Sequence, residues 1–261
     1  MTAHRRDFLA GFGGFALGIA ASGVSAKTDL AVPEPPWPYE ALDVELTRKL
    51  AHKHDYSTNC ASGSFIAIAG QLRERVGDPW TFVPLNLYAY SGGGVNGWGT
   101  LCGALNGAAG AISLAAGPAQ GRLVNELLGW YTGQAFPSAE SNRYARERAF
   151  LVEKYTFEGE RPDAIPGSPL CHVSIARWCK ASGLGAGSPE RAERCARLCG
   201  DVAAKAVELL NAWKGGTFTP AFTPQTETTG CASCHAPGKD PAKKRTSVGK
   251  MHCLDCHEKH T

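Results

Sequence analysis

The sequence predicts a mainly α-helical chain: one substantial helical domain followed by a small, loop-rich C-terminal segment. Three observations carry this. Apolar residues recur at three- and four-residue intervals over long stretches, as one buried helix face requires. No sustained alternation of apolar and polar residues marks a half-buried strand. From Thr217 onward the chain is rich in Thr, Pro and Lys with almost no apolar periodicity, so that segment cannot bury a core of its own.

Residues 1–26 read as an export signal rather than as part of the fold. His4-Arg5-Arg6-Asp7-Phe8-Leu9 carries the paired arginines followed by x-Phe-Leu of the twin-arginine route. The moderately apolar stretch from Phe8 to about Ala21 contains four glycines and is too short for a comfortable membrane span. Val24-Ser25-Ala26 offers the small residues of a cleavage site. An uncleaved anchor is the competing reading. Cleavage would leave no stable membrane span and place the protein in the periplasm.

The mature chain opens on a Pro-rich, extended lead-in with Pro33, Pro35 and Pro36. Leu42, Leu46 and Leu50 then mark an amphipathic helix from Tyr39 to His54. A second helix runs from about Cys60 to Arg75, with Phe65, Ile66, Ile68 and Leu72 apolar. Ser91 to Gly99 is a Gly-rich loop. Leu101 to Ala116, made of small residues with Leu and Ile, reads as a buried helix with close backbone approach. Helical patterns continue at Gly121–Tyr131, Ser141–Tyr155, Cys171–Ala181 and Pro189–Trp213. The last starts well, with Ser188 to cap, Pro189 in the first position and Glu190 in the first turn. Gly215-Gly216 ends it. The predicted organisation is a signal at 1–26, a helical domain at 27–215 and a C-terminal segment at 216–261.

Charge excludes some partners. The formal net charge is +3 and falls to +2 without the signal, which gives no argument for nucleic acid or an anionic membrane. No Ser/His/Asp or Cys/His catalytic arrangement is identifiable. Gly92–Gly99 fits neither nucleotide-binding Gly motif. Ten cysteines are too many for an ordinary cytosolic enzyme.

Four of those cysteines define the C-terminal segment. Cys231-Ala-Ser-Cys234-His235 and Cys253-Leu-Asp-Cys256-His257 are two Cys-x-x-Cys-His motifs, the attachment pattern of c-type haem. Both thiols add to the haem vinyl groups, and the adjacent His reaches the iron. Two haems would supply the core that this segment lacks. The eighteen residues between Cys234 and Cys253 also fit a zinc ribbon. Four thiolates would fill the zinc tetrahedron, however, and leave the two histidines without a purpose.

His235 and His257 are the expected proximal ligands. After the signal the chain has one methionine, Met251, so two haems cannot both take Met, and distal histidines are expected. The candidates are His54, His252 and His260, with His172 placed beside the second metal site instead. Lys239, Lys243, Lys244, Arg245, Lys250 and Lys259 make the tail basic, either as a solvated face or as a dock for an acidic redox protein.

Six cysteines remain, and two uses are open to them: disulfides in an oxidising compartment, or a thiolate-held metal centre. Covalent haem is added after export, so folded export suggests another cofactor loaded in the cytoplasm. Cys102 stands in Cys102-Gly103-Ala104-Leu105-Asn106-Gly107. Here the chain resembles a family of redox proteins with a CGAxxG motif and three further cysteines. Cys60, Cys102, Cys171 and Cys195 match that family in order; Cys179 and Cys199 are extra.

With two haem motifs and a twin-arginine signal added, the whole mature chain resembles the split-Soret cytochromes c. The resemblance implies a homodimer with two haems per subunit, stacked near the subunit boundary. It implies bis-histidine ligation, one axial His crossing the dimer. It also implies a [2Fe–2S] cluster held by Cys60, Cys102, Cys171 and Cys195 in an iron–sulfur-type helical domain. The expected function is electron transfer to unidentified periplasmic redox partners rather than catalysis. A small haem reductase with an open axial position and a zinc-ribbon interaction module are the alternatives.

Overall fold

The structure is a computed structural model that describes residues 32–223, 250–252, 254, 257 and 258. The export signal and Cys231, Cys234, His235, Cys253, Cys256 and His260 lie outside the described residues. The described chain is helical: α1 Val44–Ser57, α2 Cys60–Arg75, α3 Gly103–Ala116, α4 Gln120–Gly133, α5 Ala139–Arg146, α6 Cys171–Ser182 and α7 Pro189–Lys214. No strand occurs among the described residues, only isolated bridges such as Leu101 with Leu170.

Local chemistry sets where the helices begin. The Asp43 carboxylate accepts from Leu46 N at 2.7 Å, so α1 starts at Val44 rather than Tyr39. Asn59 Oδ1 accepts from Ala61 N and Ser62 N at 2.9 and 3.0 Å and starts α2 on Cys60. Ser188 Oγ accepts from Arg191 N at 3.2 Å at the head of α7.

Helix α7 is the spine, with α1, α2, α3 and α4 packed on it. Phe65, Ile68, Leu105, Ile112, Leu198 and Val202 are buried in this core. Small residues let α2 and α3 touch backbone to backbone: a Cβ on Gly107 would stand 1.9 Å from the Ala61 carbonyl oxygen. The side of α7 facing α1 is polar. Asp201 accepts from Ser138 N, Ser138 Oγ and Ser141 Oγ at 2.9, 2.6 and 2.7 Å, and from Arg48. One buried carboxylate thus ties α1 and α5 to α7.

The expected helix Ser141–Tyr155 is shorter in fact. It ends at Arg146, and Arg148 takes a left-handed φ of 52°. The apolar residues beyond it turn back to cover His52. Phe150 stacks on that imidazole at 3.8 Å between ring centroids, and Tyr155 closes the cluster. Tyr144, Leu151 and Tyr155 recur at helical intervals, but Phe150 and Tyr155 serve a separate aromatic cap.

Beyond α7 the chain doubles back along α4. Glu126 Oε2 accepts from Ala221 N and Phe222 N, both at 2.9 Å. Lys250 Nζ donates to Asn125 Oδ1 at 2.8 Å. Phe222, Met251 and His252 face Val124 and Leu128 of α4 across a groove of about 380 Å³. Among the described residues no helix is long and apolar enough to cross a membrane.

Candidate metal centre

Four separate elements deliver four cysteines to one cavity. Cys60 is the first residue of α2, Cys102 the N-cap of α3, Cys171 the first residue of α6, and Cys195 lies in the second turn of α7. All four line a space of about 190 Å³, with Asp55, Tyr131, Ser174 and Arg194 among the other wall residues. The six cysteines of the described region are free thiols, so the disulfide alternative does not describe this structure.

Backbone geometry fixes the sulfurs. Cys102 N donates to the Pro169 carbonyl at 2.9 Å, and Cys171 N to the Thr100 carbonyl at 2.7 Å, which clips the head of α3 to the head of α6. The Gly-rich loop wraps the junction through Gly97 N to Gly92 O at 3.1 Å and Thr100 N to Gly94 O at 3.1 Å. Gly94 has φ of 70°, and a Cβ there would lie 2.8 Å from the Cys171 Cβ. Gly103 is as constrained: its Cβ would lie 2.5 Å from Cys60 Sγ.

Three of the four cysteines sit at helix N-termini, where the positive end of the helix dipole and free N–H groups favour thiolate. Cys102 receives hydrogen bonds from the backbone of Leu105 and Ala104 and from Tyr131. Without a cation, burial wins over these donors. It pushes the Cys60 thiol well up, with Cys102 and Asp55 adding to the rise. It pushes Cys171 up to about 12, helped by Cys102 and Cys195. The cysteines therefore oppose one another's ionisation, and a bound cationic centre would reverse that sign.

No group of three His, Cys, Asp or Glu side chains among the described residues converges on one ion. The thiols line a cavity wall rather than a point. Cys199 lies behind it, with Sγ 3.2 Å from the Cys60 carbonyl oxygen, and Cys179 is not part of the lining.

The histidines divide. His52 is fully buried, its Nε2 3.2 Å from Glu193, and it is part of the packing between α1 and α7. His54 is half-buried on α1, and His252 half-buried in the groove on α4. His257 is exposed. His172, expected beside the centre, is exposed and is not part of the lining: its backbone N–H is what binds, donating to Gly99 O at 3.1 Å.

Sequence reasoning did not find Arg194. It is 1% exposed, lines the cavity, and its Nε has no partner. Its position next to Cys195 was the one available signal.

Residues 58–209 match the model of a family described as "Putative redox-active protein (C_GCAxxG_C_C)". The chain is 31% identical over 276 residues to split-Soret cytochrome c of Desulfovibrio desulfuricans, covering 98% of this chain and 95% of that protein. The chain belongs to the split-Soret cytochrome c family. A solved structure describing a novel iron centre in that Desulfovibrio desulfuricans protein superposes with a TM-score of 0.74. It shares 32% identity and covers 85% of this chain and 90% of its own. The helical architecture is the family's. Cys102 is the N-cap of α3, and Gly103 after it leaves room for Cys60 Sγ.

Proposed function

We propose that this protein is a periplasmic electron carrier with two covalent c-type haems and an iron–sulfur centre of the [2Fe–2S] type. Twin-arginine export delivers it folded, and it acts as a homodimer. The observation that carries the reading is the cavity lined by Cys60, Cys102, Cys171 and Cys195 in a chain that ends in two Cys-x-x-Cys-His motifs. The relatives' names supply cytochrome c and an iron centre.

The residues fit such a centre. Four soft thiol donors suit iron–sulfur chemistry, and the space is mostly apolar, with Gly93 of the Gly-rich loop in its wall. Arg194 supplies positive charge for an anionic tetrathiolate site. When bound, the centre exchanges single electrons. The chain's share is to hold the sulfurs at four fixed backbone positions, exclude water and set local charge.

Haem attachment belongs to Cys231, Cys234, Cys253 and Cys256, with His235 and His257 proximal. His54, His252 and His260 are the distal candidates. His252 immediately precedes Cys253 and lies in the groove on α4, which supports its standing as a distal candidate.

Anaerobic spectroelectrochemistry tests the function. Low-spin haems that bind no CO, with a separate EPR signal from a reduced iron centre, are expected. CO binding to a ferrous haem would favour the reductase reading and overturn the carrier.

A further inference from the structure

Arg194 has a structural peculiarity that the four cysteines alone do not explain. A guanidinium is always charged, and taking it out of water costs several kcal/mol unless an anion meets it. Arg194 is 1% exposed, yet no carboxylate pairs with it among the described residues. Its Nε is unpartnered. The other two nitrogens point to the cavity wall: Nη1 is 4.0 Å from Cys195 Sγ and Nη2 donates to Ser174 Oγ at 3.0 Å.

The Ser174 contact continues inward. The hydroxyl oxygens of Ser174 and Tyr131 are 3.0 Å apart, and the Tyr131 hydroxyl also meets Cys102. Arginine can only donate, so Ser174 accepts from it and can pass its own proton toward the Tyr131 oxygen. The phenolic proton is then available to the Cys102 sulfur. Tyr131 is fully buried and lines the same cavity as Cys102.

We propose that Arg194 is the buried counter-charge of the iron centre, and that Arg194, Ser174 and Tyr131 form a positioning line that donates onto Cys102 and raises the centre's reduction potential. This rests on the cavity being an iron–sulfur site. Positive charge and hydrogen bonds to cluster sulfur stabilise the more negative, reduced state. One residue thus acts on two ligands from different helices, directly on Cys195 and through two hydroxyls on Cys102.

The test is an EPR-monitored redox titration of the holoprotein and its R194Q, R194K and Y131F variants, with haem spectra as the control for folding. R194Q should disfavour reduction at least tenfold, which for one electron is about 59 mV toward lower potential. R194K keeps the charge and should recover most of that shift. Y131F keeps the charge and the fold and should shift the same way by less. Iron-loaded R194Q and Y131F with wild-type potentials would overturn the proposal. If R194Q binds no iron, Y131F decides alone: an unmoved potential overturns it. Wild-type protein without non-haem iron would instead remove the reading beneath it, before any variant is compared.

Discussion

Gly103→Ala is the most telling single change, because one methyl group meets one ligand. The added Cβ would stand 2.5 Å from Cys60 Sγ, 2.8 Å from the Ser91 carbonyl oxygen and 3.2 Å from Ala61 N. Ordinary contacts are about 3.5–4.0 Å, so the sulfur must yield by about 1 Å. Two of the three neighbours are backbone, which leaves the Cys60 side chain as the part that moves. Overpacking of this kind costs roughly 1–3 kcal/mol. At about 2–4 °C per kcal/mol for a domain of this size, Tm falls by roughly 2–12 °C. Gly70→Ala is the matched control: it also lies within a helix, and its Cβ would meet only Ile66 Cγ2, at 3.8 Å. There alanine removes a glycine penalty and should stabilise by roughly 0.5–1 kcal/mol. The assay is calorimetry with haem and non-haem iron counted on the same samples. G103A should lose non-haem iron and retain haem; G70A should keep both. G103A with wild-type Tm and full iron would refute the claim that Gly103 makes room for a ligand sulfur.

Three further outcomes are expected. Cys102→Ser and Cys195→Ser should each abolish the non-haem iron signal without altering the haem spectrum, read by EPR and optical absorption. Asp201→Ala leaves Arg48 with only the partly exposed Glu45 carboxylate and removes the acceptor of Ser138 and Ser141, and should cost about 1–3 kcal/mol in urea unfolding, with Asp201→Asn milder. His52 is held neutral because burial lowers its pKa from 6.5 against the pull of Glu193. The unfolded imidazole takes up a proton near 6.5 and the folded one does not, so this contribution is present above 6.5 and is lost as pH falls below it. The stability of wild type minus that of His52→Gln should therefore shrink from pH 8 to pH 5; a difference that grows would contradict it.

The helices were legible where capping and periodicity agree. Pro189–Lys214 has Ser188, Pro189 and Glu190 at its head, and Cys60–Arg75 has Asn59. The segment after Arg146 was misread because Tyr144, Leu151 and Tyr155 recur at helical intervals, whereas Phe150 and Tyr155 pack on His52, a contact about 100 residues away in sequence that periodicity cannot register. The four cysteines were legible as a set through the family's order of motifs. Their meeting around one cavity depends on the clip between Cys102 and Pro169 and on small residues between α2 and α3. Arg194, Ser174 and Tyr131 come from α7, α6 and α4, and no local pattern marks a buried arginine as different from the many exposed ones. His172 follows Cys171 in sequence but is exposed and outside the cavity lining, since adjacent residues at a helix start point in different directions.

The most direct measurement is covalent haem, total iron and acid-labile sulfide per chain on one anaerobically purified sample. The account predicts two haems, about four irons and about two sulfides, the composition of two haems and one two-iron cluster. Two haems with only two irons and no sulfide would contradict it, leaving a dihaem cytochrome whose buried thiols hold no metal.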